Sequence, residues 1–179
     1  MKQLKIIKYF SLIIIVVSIF YMTLLNISRK VKINSHEKVI DNMVSNNTSY
    51  NYINNNIIGY LEIENVKIKN IIKISVSDKV LDENVIGMLE SSEIGRNNSD
   101  VFLAGHNIKE VFRNLHLIKK GDIVKITTND SCYRYEVNKI LIVNDYEINY
   151  LLNTYNNKLI MMTCTNQNNK RLIVIANLI

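Results

Sequence analysis

Apolar residues fall into one long block near the start of the chain and then, much later, into a series of short runs. The block covers residues 9–27, a stretch without a single charge. About twenty such residues, wound as a helix, cross the hydrocarbon of a bilayer. The segment is apolar around its whole circumference, which fits lipid better than the one-sided face of a soluble core helix. It is long for the apolar region of a cleaved signal peptide, and no small-x-small cleavage site follows it. The expectation is an uncleaved anchor. Lys2, Lys5 and Lys8 precede it and Arg29, Lys30 and Lys32 follow, so flanking charge orients it only weakly.

Residues 28–56 are polar, with asparagine at 34, 42, 46, 47, 51, 54, 55 and 56. They read as a stalk whose function is reach, with one helical stretch at 37–43. From Ile57 onward the period becomes that of strands. Positions 58–63 and 66–72 alternate. Residues 100–104 form a buried run ending at Gly105-His106-Asn107. Strand-like runs follow at 123–127, 133–143, 158–164 and 171–178. Helical spacing occurs at 78–88, at 110–117 with Val111, Phe112 and Leu115 inward, and at 146–152. Seven or eight strands with few helices pack most naturally as a closed or nearly closed β-barrel, here over residues 57–179.

Charge narrows the choice of partners. The chain has 22 Lys and Arg against 16 Asp and Glu, a net charge of +6. No basic block interleaved with aromatics resembles a nucleic-acid-binding motif, whereas a basic protein suits an anionic membrane surface. No Cys or His pair has the spacing of a zinc site.

Candidate chemistry concentrates in the last two strands, which are joined by the polar stretch 165–170. If the tip is centred on Gln167 and Asn168, residues whose numbers sum to 335 face each other, and Cys164 faces Arg171. Directly opposed side chains share a face, with Cβ atoms about 5 Å apart. A guanidinium in that position stabilises a thiolate, or an oxyanion formed beside it. His106 follows a buried strand and a glycine, and can project into a cleft. A Cys–His pair activates a thiol and later protonates a leaving amine. The second cysteine, Cys132, lies beside the turn Asn129-Asp130-Ser131. A Cys132–Cys164 disulfide, making a thiol-stapled structural protein, is an alternative the sequence leaves open. His116 reads as a surface or half-buried residue and His36 belongs to the stalk.

Several segments then occur in one order: Phe102-Leu103-Ala104-Gly105-His106-Asn107, Phe112-Arg113-Asn114-Leu115, Leu117-Ile118-Lys119-Lys120-Gly121-Asp122, Tyr133-Arg134-Tyr135-Glu136-Val137, Met162-Thr163-Cys164-Thr165 and Arg171-Leu172-Ile173-Val174. Together they resemble the sortase family of Gram-positive bacteria, from about residue 59 to residue 178. The family's TLxTC motif reads Ile160-Met161-Met162-Thr163-Cys164 here, the loop after Cys164 is short, and Glu64 stands where a proline is usual.

The resemblance implies an eight-stranded sortase barrel with His106, Cys164 and Arg171 as catalytic residues, and Ala104 and Thr163 lining the substrate groove. It implies a cysteine transpeptidase that cleaves an LPxTG-like sorting signal through a thioester and transfers the protein to a cell-wall precursor amine. It also implies an N-terminus inside (residues 1–8 cytoplasmic, 9–27 in the membrane) and a barrel outside the cell. No organic cofactor or metal is expected; some family members use calcium, but no acidic cluster suggests it here. The absence of a second apolar span and of a lid segment points to the class D or class A type rather than the pilin-polymerising class. A barrel that has lost activity and serves as an anchored binding module is the runner-up.

Overall fold

The alternation seen in the sequence becomes the inside and outside of a barrel. The computed structural model describes residues 2–45, 56–96, 98–150, 157–167 and 169–179. Its strands are β1 (Ile57–Ile63), β2 (Ile68–Ile74), β3 (Ile86–Met88), β4 (Val101–Ala104), β5 (Ile123–Thr128), β6 (Cys132–Asn144), β7 (Lys158–Cys164) and β8 (Lys170–Leu178). They close in the order β1-β2-β3-β4-β7-β8-β6-β5, with β5 pairing back onto β1. The β2–β3 and β4–β7 pairs are parallel. Closure leaves no free sheet edge, which is the usual solution for many short strands.

One set of alternate residues fills the interior: Leu61, Ile72, Leu103, Ile126, Met161 and Val174 all belong to a single buried cluster. Tyr135 is buried there too, and burial pushes its hydroxyl up to about 12. The opposite set makes two apolar patches on the outer wall. On β4, β6, β7 and β8 these are Phe102, Ala104, Ile160 and Ile173, with Leu141, Val143 and Met162 packed alongside. On β1 and β2 they are Ile57, Tyr60 and Ile71, joined by Val85.

A single helix, α1 (Lys2–Ser45), precedes the barrel. Residues 1–35 form one compact unit and residues 36–179 another. In the first, the segment from Ser11 is exposed, reaches a mean hydropathy of 2.2 and is long and apolar enough to cross a membrane by length and composition. In the second, the last turns of α1 lie on the barrel: Ile40 is buried against Ile57, Tyr60, Ile71 and Val85, with Val39 and Met43 beside it. The expected helix at 37–43 is therefore part of a longer one, and that part of the stalk is not simply solvated. Stalk positions 46–55 lie outside the described residues.

Four expectations shift locally. The helical pattern at 78–88 yields only α2 (Asp78–Leu81). Asn84 then takes a left-handed φ of 64°, and Ile86–Met88 becomes a strand because β2 and β4 both need a partner at that place. The alternating run at 66–72 enters its strand at Ile68, after a 3₁₀ turn over Glu64–Val66. The helices expected at 110–117 and 146–152 are 3₁₀ turns, Arg113–Leu117 and Asp145–Tyr150; residues 151 and 152 lie outside the described residues.

The barrel closes where β5 meets β1, and Gly59 sits in that seam. A Cβ at Gly59 would stand 2.2 Å from the Thr127 carbonyl oxygen, a backbone atom that cannot step aside. Gly59→Ala is expected to destabilise the barrel by about 2 kcal/mol or more. Urea unfolding of the full chain in detergent measures this, and an unchanged midpoint would mean the seam is looser than described.

Candidate active site

The β7–β8 hairpin pairs Cys164 with Arg171 directly, as a tip centred on Gln167 and Asn168 requires. Its loop is tied by Thr165: the Gln167 N–H donates to Thr165 Oγ1 at 3.1 Å, and the Thr165 N–H donates to the Lys170 carbonyl at 3.2 Å. Asn168 itself lies outside the described residues. Cys164 is an exposed free thiol. Arg171 is partly buried, with Nη1 3.1 Å from Asp145 Oδ1 at the start of the turn that follows β6.

Cys132 is also free, and the topology keeps it far away. It opens β6, whereas the residue of β6 that pairs with Arg171 is Val143. Eleven positions along a strand separate them, on the order of 30 Å, far beyond disulfide reach. The stapled arrangement is therefore not that of this fold.

His106 is carried to the same end by β4. Strands β4 and β7 run parallel with Ala104 level with Met162, so His106 and Cys164, each two positions further on, leave neighbouring strands side by side. Two bonds hold the strands together just there. The Gly105 N–H donates to the Met162 carbonyl at 3.1 Å, and the Thr163 hydroxyl donates to the Gly105 carbonyl at 2.8 Å. Gly105 has no room for a side chain, because a Cβ would lie 2.6 Å from Val111 and 2.8 Å from Phe112. The His106 imidazole is half-exposed, with Nε2–H directed at Asp82 Oδ1, 3.2 Å away. Both cation-forming side chains next to Cys164 thus have a carboxylate partner, each from a different loop.

Asn70 links these loops. It lies in the inward phase of β2 between Ile68 and Ile72, and its Nδ2 donates to the Asn84 carbonyl at 2.9 Å and the Glu110 carbonyl at 2.8 Å. It therefore ties the turn bearing Asp82 to the segment that follows His106. A polar residue in a buried phase was a readable signal for Asn70. Asp82 and Asp145 carried none, since nothing local marks either as a partner of a residue 24 or 26 positions away.

The surface around Cys164 is two-sided. Along β7 it shares the outer face with Ile160 and Met162, beside Ala104 and Ile173. Ala104, expected in the groove, is buried in that apolar patch. On the other side Cys164 borders a cleft of about 550 Å³ whose wall includes Thr163, Thr165, Asn107, Arg113 and His116. Thr163 is buried, its hydroxyl spent on Gly105. His106 is not among the residues lining this cleft. Among the described residues, no three His, Cys, Asp or Glu side chains cluster as a metal site would need.

Comparison with known proteins matches this architecture. The Sortase domain family profile matches residues 61–179. No curated protein sequence matches the chain. Among solved structures, the pilus-related sortase C of Group B Streptococcus is 27% identical, with a TM-score of 0.63 over 70% of this chain and 68% of that one. Clostridium perfringens sortase C, solved with the C-terminal cell wall sorting motif, is 25% identical, with a TM-score of 0.64 over 84% and 87%. Listeria monocytogenes sortase A shares the fold at 19% identity, with a TM-score of 0.64 over 70% and 88%. With a closed eight-stranded barrel and a family match over its whole length beyond the first half of β1, this chain belongs to the sortase family.

Proposed function

We propose that the chain is a membrane-anchored cysteine transpeptidase, held by its N-terminal helix with the barrel outside the cell, that acts on proteins bearing an LPxTG-like sorting signal. The observation that carries this reading is the pairing of an exposed Cys164 with Arg171, beside the strand end that bears His106. The apolar outer face of β4, β7 and β8 offers a bed for the hydrophobic residues of such a signal, and Ala104 lies in it. The solved Clostridium perfringens relative with a sorting motif supports the same substrate class.

In the mechanism, the Cys164 thiol gives its proton to His106 as its sulfur attacks the scissile carbonyl carbon. The oxyanion that forms is stabilised by the Arg171 guanidinium. This group has five N–H donors, so it can hold Asp145 and the oxyanion together. Collapse expels the amine, which takes its proton from His106, and leaves a thioester on Cys164. An amine of a cell-wall precursor then attacks the thioester and gives its proton back to the imidazole. Asp82 steadies the ring through the cycle, the task of an orienting carboxylate behind a catalytic histidine.

Incubating the full chain in detergent with LPxTG-type peptides is expected to give a covalent adduct, detected by intact mass and mapped to Cys164. Cys164→Ala should abolish it. An adduct that persists in Cys164→Ala contradicts the nucleophile, and no adduct with any peptide favours a barrel that only binds. Arg171→Lys should lower turnover by about 100-fold or more, the scale for losing one oxyanion donor, because a point charge does not replace a planar fork. Near-normal turnover in this variant would remove Arg171 from the mechanism.

A further inference from the structure

The cleft bordering Cys164 has a chemical bias that peptide cleavage does not use. Arg113 and His116 line it from the 3₁₀ turn Arg113–Leu117, and Asn107, Thr165 and Asn166 add neutral polar groups. Phe112, Ile142 and Leu172 add apolar wall, and among the described residues no carboxylate lines the cleft. Arg113 is exposed, and among the described residues it forms no ion pair. His116 donates its Nδ1–H to the Arg113 carbonyl, 2.6 Å away, a bond that leaves its Nε2 uninvolved. Cys164 therefore lies between the apolar outer face of β7 and β8 and a mixed cleft whose one guanidinium has no acid beside it among the described residues.

We propose that this cleft receives the accepting amine, and that Arg113 selects acceptors that carry a carboxylate on the same amino-acid unit as that amine. The inference rests on the transpeptidase reading above. Three physical points support it. An acid-free cleft cannot hold the acceptor as an ammonium ion, and a nearby cation favours the neutral amine, which is the nucleophilic form. An unpaired guanidinium is matched by a carboxylate through charge-assisted, planar hydrogen bonds. A volume of about 550 Å³ holds an amino-acid-sized group. The step balances: the amine nitrogen forms a bond to the thioester carbon, the C–S bond breaks with its electrons remaining on Cys164 sulfur, and the amine's extra proton passes to His106.

The test uses the full chain in detergent, first loaded with an LPxTG-type peptide as the Cys164 thioester. The isolated adduct is mixed with Nα-acetyl-lysine or with Nα-acetyl-lysinamide, which present the same ε-amine and differ in the carboxylate. At subsaturating concentration the acid should resolve the adduct about tenfold faster than the amide, the discrimination that one charge-assisted hydrogen bond supplies. In Arg113→Gln the ratio of the two rates should fall to about one, and Arg113→Lys should retain part of it. Equal rates in the unmodified chain overturn the proposal, as does an undiminished ratio in Arg113→Gln. Failure to load Cys164 with any sorting peptide is a different result: it removes the transpeptidase reading, and this inference with it.

Discussion

Strand β7 is bonded on both sides, and that double pairing sets the geometry of the site. Its antiparallel partner β8 fixes Arg171 opposite Cys164. Its parallel partner β4 brings His106 level with Cys164. Neither relation can slip alone, because side chains alternate with period two. A shift of one residue in either ladder would turn Leu159 and Met161 out of the barrel and Ile160 into it. Burial of those apolar residues therefore holds Cys164, Arg171 and His106 in their places. The Thr163–Gly105 and Gly105–Met162 bonds lock the register at the last residue before the site.

The ladders place the backbone, and polar contacts from distant loops orient the side chains. Asp145 holds Arg171 and Asp82 holds His106. Asn70 anchors the turn bearing Asp82 to the segment after His106 through two carbonyls. Exposed ion pairs contribute little to stability. Their value here is orientation, since each keeps a long or rotatable side chain near the thiol. The same end of the barrel carries both the apolar outer face of β4, β7 and β8 and the cleft that Arg113 lines.

Much of this was legible before any coordinates. The β7–β8 register followed from period-two alternation and a short polar tip, because directly opposed positions in a hairpin have a constant sum. His106 was legible as a histidine released by glycine at the end of a buried run. The barrel followed from the number of short strands. What escaped had non-local causes. Residues 78–88 carry helical spacing, yet Ile86–Met88 is drawn into the gap between β2 and β4, which exists only once those strands are placed. The helix continues to Ser45 because Ile40 finds an apolar surface that appears only when β1 and β2 pair. Asp82, Asp145 and the cleft beside Cys164 are likewise products of closure.

The central claim is that Arg171, held across the hairpin from Cys164, meets the oxygen of the carbonyl under attack. A crystal structure of the chain carrying a sorting-peptide analogue covalently fixed to Cys164 tests this most directly. The carbonyl oxygen is expected within hydrogen-bond distance of the Arg171 guanidinium, about 2.7–3.1 Å, with the peptide's apolar residues along Ala104, Met162 and Ile173. A carbonyl oxygen directed away from Arg171, with the guanidinium still engaged only by Asp145, would contradict it.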